Sequence, residues 1–375
     1  MRDVMVSGAG IAGLAVAYWL RRNGDRVTVV EKAPGPRPGG QAVDVRGAAL
    51  DVVSRMGLGG AVRDAGTRTR GMTMLDADGA ELFRSEDQAY SSGRLDGEDV
   101  ELLREDLVAL LAGLTRDVEV VYDDAIAALT DGPDGVRVEL ASGDVRTVDL
   151  VVGADGMHSA ARRLAFGPEE RYSRHLGQYV AVFSAPNVLG LEDWQVWVQD
   201  QASGVGGGIY PVRDNTELRV TLGFASGPLD HDHTDVARQK SVVAERLGGV
   251  GWEMPRLLEI MAGSPDFYFD AMAQIHLESW STGRVALVGD AGYCASVLSG
   301  QGTSLALVGA YVLAQELAAH PDHRDAFAAY DRRMRPFVAA NQALATENPG
   351  GPASLESMDR AKNAITLDEP APARG

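Results

Sequence analysis

The sequence predicts an α/β fold in which distant pieces of the chain form one parallel sheet, with an antiparallel sheet inserted between them. Three observations lead to this prediction. The first 60 residues read as strand, helix and strand, whereas four strand-like runs with few helices follow residue 170. An apolar run typical of a buried strand then returns at 285–288, before two long helical segments.

The N-terminal unit carries the strongest local signals. A short apolar run at 4–7 stops at a glycine and is too short to be a helix by itself. Apolar residues then recur at helical spacing over 12–23. Residues 27–30 are all β-branched and predict a second strand, which ends in Glu31 and Lys32.

The segment up to residue 156 continues this pattern of strands and helices. Residues 34–40 hold three prolines and three glycines, which favours a loop. Residues 48–56 and 97–114 look helical. The alternation at 136–140 predicts a strand, followed by a turn at Ser142-Gly143 and a second strand. The apolar run at 149–152 predicts another buried strand, and it ends in Gly-Ala-Asp-Gly.

The later part of the chain divides into an insert and a C-terminal region. Helical segments near 234–247 and 253–262 follow the four strand-like runs, which are Tyr179–Ser184, Trp194–Gln199, Gly207–Val212 and Leu218–Phe224. We therefore assign 1–170 and 275–320 to one discontinuous domain, 171–274 to the inserted domain, 321–365 to C-terminal helices and 366–375 to a disordered tail.

Composition excludes several classes of partner. Lys and Arg number 35 against 53 Asp and Glu, giving a net charge of −18, so nucleic acid and anionic membrane are poor partners. Cys294 is the only cysteine, which excludes an internal disulfide and a cysteine-based zinc site. There is no uninterrupted apolar run of about 18 residues and no export signal, so we expect a cytoplasmic protein.

A glycine motif follows the first strand. Gly8, Gly10 and Gly13 form G-x-G-x-x-G at the start of the first predicted helix, with Ala12 beside the last glycine. Such glycines permit a sharp turn and let a pyrophosphate approach the free N–H groups of the helix. Glu31 lies about 20 residues further on, where an acid binds an adenosine ribose, so the pattern favours FAD or NAD over NADP. The alternative is an ordinary glycine-rich turn with a solvated acid.

Two further motifs carry a resemblance to a known family. Asp155 to Arg162 reads D-G-x-x-S-x-x-R, and Gly289-Asp290-Ala291 is followed by Gly300-Gln301-Gly302. With the N-terminal glycines, the chain resembles the group A FAD-dependent monooxygenases of the para-hydroxybenzoate hydroxylase fold over residues 2 to about 342. In detail it looks most similar to polyketide-tailoring and tetracycline-inactivating members. The fold implied is a Rossmann-type FAD-binding domain with an inserted antiparallel-sheet substrate domain and long C-terminal helices.

The resemblance implies an activity and its cofactors. FAD is held non-covalently and carries the chemistry, so no catalytic side chain is assigned, and NAD(P)H visits transiently as reductant. With O2, the enzyme hydroxylates or Baeyer–Villiger oxidises a small aromatic or polyketide-like molecule in secondary metabolism or antibiotic modification. The implied cofactor-binding residues are Gly8, Gly10, Ala12, Gly13, Glu31, Lys32, Asp44, Arg46, Arg104, Asp155, Gly289, Asp290, Gly300 and Gly302.

Hydrogen bonding and helix electrostatics support flavin binding by the third motif. Asp290 follows a buried strand, where a carboxylate can bind the ribityl hydroxyls of a flavin. Gly300 and Gly302 precede a helix whose N-terminus would face the negative charge of a reduced flavin, a stabilisation of about 1 kcal/mol. Asp290 as a helix cap and Arg104 as a surface residue remain the competing interpretations.

The chain also departs from the family pattern. Val297 stands where many relatives carry proline, and Tyr293 stands where histidine is common. These differences leave open an FAD-dependent dehydrogenase or reductase that does not insert oxygen, and a redox-silent flavin-binding protein. Cys294, between them, is interpreted as a small buried hydrophobic residue and not as a redox thiol.

The substrate side is predicted from strand alternation. Gln195, Trp197 and Gln199 share one face of a strand, and Arg219 and Thr221 share one face of another. Amides, an indole and an arginine suit a polar aromatic ligand, although they suit a solvated outer face equally well. Residues 230–233 read Asp-His-Asp-His but lie in a loop before a helix cap, so we assign no metal site. A monomer or a homodimer is expected.

Overall fold

The structure is a computed structural model, and it describes residues 1–200, 202–230, 234–348 and 351–369. A six-stranded sheet forms the centre of the first domain, and its strands come from four distant parts of the chain. All its strand pairs are parallel except the pair at one edge, where Ser281–Thr282 runs antiparallel to Val285–Leu287. In spatial order the strands are β19 (Ser281–Thr282), β20 (Val285–Leu287), β13 (Leu150–Gly153), β1 (Asp3–Ser7), β2 (Arg26–Glu31) and β9 (Glu119–Tyr122).

A seven-stranded sheet forms the second layer. In spatial order it contains β18 (Tyr268–Ile275), β14 (Ser173–Pro186), β17 (Glu217–Ala225), β16 (Val205–Val212), β15 (Gln195–Asp200), β4 (Met72–Leu75) and β5 (Glu81–Ser85). The four strands predicted in the insert are confirmed. The predicted limits 171–274 leave out β4 and β5, which come from the N-terminal third of the chain. All four β4 residues are buried, so this strand shows no alternation.

Three small sheets complete the strands. They are β10 (Ile126–Gly132), β11 (Gly135–Leu140) and β12 (Val145–Val148); β3 (Ala42–Val45) with β8 (Val100–Leu103); and β6 (Gln88–Ala89) with β7 (Gly93–Arg94). The prediction of a helix over 97–114 is wrong in its first part, because residues 100–103 pair with β3 as a strand before the helix begins.

The helices cover the first sheet and one face of the second. They are α1 (Ile11–Arg22), α2 (Ala48–Arg55), α3 (Gly59–Asp64), α4 (Arg104–Leu114), α5 (Ala160–Phe166), α6 (Val236–Leu247), α7 (Met254–Gly263), α8 (Asp290–Tyr293), α9 (Gly302–Ala319), α10 (His323–Glu347) and α11 (Leu355–Lys362). Short 3-10 turns lie at Glu169–Arg171 and Val297–Ser299.

Helix α9 is the central core helix of the first domain. Its 18 residues are long and apolar enough to cross a membrane by length and composition, but 83% of the helix is buried inside the protein. A largely buried core helix passes that test without spanning a membrane. Helix α9 contacts α1, α2 and α10, so we interpret its apolar character as core packing.

The C-terminal segment is ordered further than the sequence predicts. The sequence predicts a disordered tail from residue 366, but Leu367 packs on the core of the first domain. The carbonyl of Asp368 accepts hydrogen bonds from Tyr311 Oη and from Arg55. The prediction of a tail is therefore wrong for 366–369, and 370–375 lie outside the described residues.

Candidate cofactor and substrate site

The three motifs meet because each follows a strand of the same parallel sheet. Gly8 follows β1, Ala154 and Asp155 follow β13, and Gly289 and Asp290 follow β20. These three strands are neighbours in the order β20, β13, β1. The carboxyl ends of parallel strands lie at one edge, where α/β sheets bind ligands. Residues as far apart in the chain as Gly8 and Asp290 thus line one cleft.

The glycines of the first turn have different steric requirements. Gly8 has φ +100°, and a Cβ there would lie 2.6 Å from the carbonyl oxygen of Ala154. A Cβ on Gly13 would lie 1.8 Å from the carbonyl oxygen of Gly8, whereas one on Gly10 would have no atom within 4 Å. The chain's own packing therefore requires Gly8 and Gly13. Gly10 instead borders open space that a side chain would fill. We call this space, between Gly10 and the first turn of α1, the cradle.

This cradle lies at the N-terminus of α1. Gly10 is the N-cap residue, no side chain caps the helix, and its first turn holds no acidic residue. The amide groups of that turn and the positive end of the helix dipole therefore remain available for an anion. Ala12 lies in the same turn and is buried against the core of the domain. These features fit the pyrophosphate of FAD.

Glu31 stabilises the glycine turn. Its carboxylate accepts hydrogen bonds from the Ala9 amide at 2.7 Å and from the Ala33 amide at 2.9 Å. The acid thus connects the turn after β1 to the end of β2, and it is half-buried. Lys32, the next residue, is exposed. The position of Glu31 agrees with that of a ribose-binding acid, with the added role of ordering the turn.

Asp290 faces the cleft from the other side. Gly289, with φ +66°, occupies the cap position of α8 and Asp290 is its first helical residue, so Asp290 is not the cap. Its side chain is exposed to the cleft, and a Cβ on Gly302 would lie 3.9 Å from its Oδ1 atom. Desolvation by the surrounding protein raises the pKa of Asp290. The carboxylate is well placed for a neutral hydroxyl ligand such as the ribityl chain.

Asp44 and Arg46 form a buried ion pair beside Gly300. Their closest atoms are 2.9 Å apart, and a Cβ on Gly300, which has φ +62°, would lie 3.7 Å from Arg46 Nη1. Arg46 also donates to the carbonyl of Ser91 at 2.8 Å, and its amide donates to Ser304 Oγ of α9 at 3.1 Å. Burial raises the pKa of Asp44 to about 7, although Arg46 opposes that shift. The pair attaches β3 to the start of α9.

Two buried atoms of this pair have no partner. Asp44 Oδ1 and Arg46 Nε make no hydrogen bond to any described residue. Buried polar atoms are normally paired. Unpaired polar atoms next to the N-terminus of α9 are consistent with the expectation that this corner contacts the flavin ring.

Arg104 binds the breaker-rich loop. It is the first residue of α4, and its Nη2 group donates to the carbonyls of Arg37 at 2.9 Å and Gly39 at 3.0 Å. Desolvation and the positive charge of Arg37 lower the pKa of Arg104. The contact with FAD predicted for this arginine therefore has to coexist with its role in holding the loop.

Asp155 orders its own turn. It accepts hydrogen bonds from Ser7 Oγ at 3.1 Å, from the Ala161 amide at 3.0 Å and from Ser159 Oγ. Arg162 is fully buried, and its Nη1 group donates to the carbonyl of Ala291 at 2.9 Å. The second motif is thereby connected to the first strand and to the third motif, whichever ligands Asp155 also serves.

Strand register places all five predicted substrate residues on one face. Trp197 pairs across Gly208 with Thr221, and Arg219 lies in the adjoining row opposite Tyr210. This face turns toward the first domain, because Tyr210 Oη accepts a hydrogen bond from the Ala42 amide at 2.8 Å. It is therefore not a solvated outer face.

Two of the five residues are already fully engaged within the chain. Gln195 is 0% exposed and donates to Thr69 Oγ1 at 3.2 Å and Ser91 Oγ at 2.6 Å. Arg219 is 2% exposed and is paired at 2.9 Å with both Glu105 and Glu217. Both side chains are thus buried and hydrogen-bonded within the chain, and their contact with substrate stays a prediction.

The remaining three residues keep accessible surface. Trp197, Gln199 and Thr221 are partly exposed. The Trp197 indole donates to Gln195 Oε1 at 3.0 Å and packs on Tyr90 with ring centroids 5.4 Å apart. We retain these three as substrate-facing candidates.

The cleft wall also contains Tyr268, which belongs to a group for which the sequence favours core packing over a pocket wall, namely Phe267, Tyr268, Phe269 and Met272. Tyr268, partly exposed, lies on the same sheet face and packs with Val180, Val182 and Leu298. Alternation over 268–272 next to the run at 179–184 is the sequence signal that favours the wall position. Val297 is 48% exposed and follows Ser296, whose φ is +72°.

The other singled-out groups behave as structural residues. Cys294 is buried, and desolvation raises the pKa of its thiol well above the usual value. Tyr293 Oη lies 2.8 Å from Tyr330 Oη in the core. Among the described residues, no group of three or more His, Cys, Asp or Glu could hold a metal ion. Positions 231–233 of the Asp-His-Asp-His run lie outside the described residues.

Comparison with known proteins gives consistent matches. The sequence model of the FAD binding domain family matches residues 1–345. A flavin-dependent monooxygenase of Legionella longbeachae is 40% identical over 90% of this chain and 86% of its own length. An uncharacterized protein of Mycobacterium tuberculosis is 49% identical over 98% of this chain and its entire length. The crystal structure of the tetracycline destructase Tet(55) superposes with a TM-score of 0.87 and 38% identity, covering 98% of this chain and 99% of that one.

Proposed function

The chain belongs to the FAD binding domain family and is a flavin-dependent monooxygenase of aromatic or polyketide-like molecules, and on that basis we propose that it oxygenates a tetracycline-like polycyclic substrate with NAD(P)H as reductant. The observation that carries this proposal is the common cleft formed by the three motif turns and the sheet face with Trp197 and Thr221. The likeness to a tetracycline destructase over nearly the whole chain supports the substrate class.

The chain's residues divide the binding work in this proposal. The amides at the start of α1 bind the pyrophosphate in the space beside Gly10, and Glu31 binds the adenosine ribose. Asp290 accepts hydrogen bonds from the ribityl hydroxyls. The N-terminus of α9, after Gly300 and Gly302, stabilises negative charge on the reduced ring by about 1 kcal/mol. Bound FAD supplies electron transfer and oxygen activation.

The substrate wall orients the molecule to be oxygenated. An aromatic polyketide is flat and carries phenols and carbonyls, which suit the Trp197 indole and the polar groups of Gln199 and Thr221. Tyr268 and Val182, on the same face but on strands β18 and β14, pack with Leu298 and provide an apolar boundary. A wall of this kind fixes the position of the substrate and excludes water from the reacting face.

The test measures the reductant consumed, the oxygen consumed and the product formed in the same reaction. FAD-loaded protein is supplied with NADPH or NADH and tetracycline under 18O2. Incorporation of one 18O atom per reductant consumed supports the proposal. Reductant-dependent conversion of tetracycline without oxygen would select the dehydrogenase or reductase alternative. That alternative rests on Val297, which is half-exposed and stands where many relatives carry proline. No consumption of either reductant would select a redox-silent protein.

Two coarser expectations complete the proposal. We propose a cytoplasmic location, because NAD(P)H is regenerated there. A monomer or homodimer remains the expected assembly, and light scattering of the FAD-loaded protein measures it directly.

A further inference from the structure

A chain of hydrogen bonds joins the substrate wall to the second motif. Tyr268 Oη donates to Asp270 Oδ2 at 3.0 Å, and the same carboxylate lies 3.0 Å from His158 Nε2. His158 Nδ1 in turn lies 2.8 Å from Glu169 Oε1. Asp270 is 5% exposed and belongs to β18 of the second sheet, whereas His158 belongs to the turn between β13 and α5. One imidazole thus bridges two carboxylates from different layers.

The same chain continues to the third motif. Glu169 Oε2 accepts a hydrogen bond from the buried Arg162 at 2.6 Å, and Arg162 donates to the carbonyl of Ala291. Ala291 directly follows Asp290, whose carboxylate faces the cofactor cleft. The two ends of the network are therefore a residue of the substrate wall and the turn that we expect to hold the flavin.

The charges of this network balance only when His158 is protonated. Two carboxylates, Asp270 and Glu169, face two cations in that case, the imidazolium and the Arg162 guanidinium. Two further ionisable groups belong to the same segments, Tyr268 on β18 and Asp155 on the turn that carries His158, and both are held by hydrogen bonds. Hydrogen bonds to Asp270 and then Glu169 raise the pKa of His158 to about 9, against the opposing effect of desolvation.

We propose that His158, as an imidazolium, is a positioning residue that fixes Tyr268 of the substrate wall relative to the Asp290 turn, so that one oxygen atom of O2 is transferred to the substrate and O2 is not released as H2O2. This inference rests on the proposed function. A neutral ring donates to only one of the two carboxylates, so the hydrogen bond from the ring to the other carboxylate is lost and the connection between the layers is weakened. Displacement of a positioning group by about 1 Å is enough to reduce productive turnover by about a hundredfold.

The consequence is a change in how oxygen is used. The coupled reaction converts NAD(P)H, H+, O2 and substrate into NAD(P)+, oxygenated substrate and H2O. The uncoupled reaction converts NAD(P)H, H+ and O2 into NAD(P)+ and H2O2. Loss of positioning shifts turnover from the first to the second without changing the electron balance.

The main experiment measures H2O2 released per NADPH oxidised, with tetracycline as the probe, between pH 7 and 10. Wild type is expected to release little peroxide at pH 7 and progressively more with a midpoint near 9, the pKa of His158. H158Q is expected to release more than half of the oxygen as peroxide at every pH, with FAD affinity changed by less than twofold. H276Q is the matched control, because His276 is also partly buried near the end of β18, and it should follow wild type.

Y268F tests the other end of the network. It keeps the ring and removes the hydroxyl, so it should raise peroxide release at pH 7 and add little to the effect of H158Q in the double variant. Coupling of H158Q equal to wild type at pH 7, or a wild-type ratio that is flat with pH, would overturn the inference. A fully additive double variant would also overturn it.

A readout independent of substrate separates this inference from the proposed function. The visible circular dichroism of bound FAD is expected to change with a midpoint near pH 9 in wild type and H276Q and to show no such step in H158Q. Should tetracycline fail to be oxygenated, this step still supports the connection between His158 and the flavin turn. Identical spectra for wild type and H158Q across the range would refute the inference even with tetracycline turnover intact.

Discussion

Replacement of Gly10 by alanine is expected to separate cofactor binding from folding. Gly10 has φ −81° and ψ −170°, an extended conformation that alanine adopts without strain, and its added Cβ would meet no atom within 4 Å. The loss of a favourable helix cap is about 1 kcal/mol, and the reduced freedom of the unfolded chain returns about 0.4–1 kcal/mol. The FAD-free G10A protein should therefore unfold within about 2 °C of wild type.

G10A is expected to weaken the binding of FAD. The new methyl group occupies the space into which the pyrophosphate fits, so at least one hydrogen bond between an amide and the charged phosphate is lost. Such a bond contributes about 1.5–3 kcal/mol. The dissociation constant of FAD should rise about ten- to hundredfold.

G13A and G60A are the matched comparisons. A Cβ on Gly13 would lie 1.8 Å from the Gly8 carbonyl, and backbone has to move by about 1 Å to relieve that contact. G13A should therefore lose about 3 kcal/mol of stability even without FAD. Gly60 lies on the exposed helix α3 with no atom near its Cβ position, so G60A controls for the change from glycine to alanine.

The assay combines thermal unfolding of FAD-free protein with titration of FAD by fluorescence quenching. The expected pattern is normal stability with weak binding for G10A, low stability for G13A, and wild-type behaviour for G60A. Wild-type FAD affinity in G10A would refute the assignment of the cradle. A G10A protein as unstable as G13A would show that Gly10 serves the fold instead.

Three further predictions follow from the same contacts. E31Q should lose about 1.5 kcal/mol in urea unfolding and bind FAD about tenfold more weakly, since an amide oxygen does not hold both backbone amides as a carboxylate does. R219M should lower the free energy of unfolding by about 3 kcal/mol because it breaks a buried ion-pair cluster. T221V, on the same face, should keep a free energy of unfolding within about 1 kcal/mol of wild type and change the KM for tetracycline. The pKa of His158 is raised in the folded state, so its stabilisation should be complete below pH 6.5 and be lost as pH rises through about 9. The difference in Tm between wild type and H158Q should therefore shrink over that pH range. Equal unfolding of E31Q and wild type, a stable R219M or a pH-independent Tm difference would contradict these respective predictions.

The parts of the site that sequence predicts well are those fixed by local sterics. The turn after β1 needs glycine at 8 and 13 because of contacts with atoms of the same turn or of a neighbouring strand end, and strand, turn and helix are all readable there. Convergence of the three motifs follows from one rule, that the strand ends of a parallel sheet share an edge. These statements require no knowledge of distant side chains.

Side-chain pairing across the domains is what the sequence leaves undetermined. Alternation places Gln195 and Arg219 on the same face as Trp197, but it does not say that Ser91 and Glu105, about 100 residues earlier in the chain, occupy their donors. His158 is a comparable case, because Asp270 lies 112 positions away. Such contacts depend on how the two layers pack, which no local pattern encodes.

The acidic charge of the chain and the anionic cofactor are compatible because the local field decides binding, not the net charge. The carboxylates near the cleft carry their own donors: Glu31 has two backbone amides, Asp155 has two hydroxyls and an amide, and Asp44 has Arg46. A carboxylate held in this way presents little free negative charge to a neighbouring phosphate. Asp290, which has the Cys294 thiol beside it, lies where neutral hydroxyls and not phosphates are expected. The surplus of acidic residues elsewhere is screened over a distance of about 8–10 Å at physiological salt, so we expect the dipole of α1 to dominate the potential at the proposed pyrophosphate site.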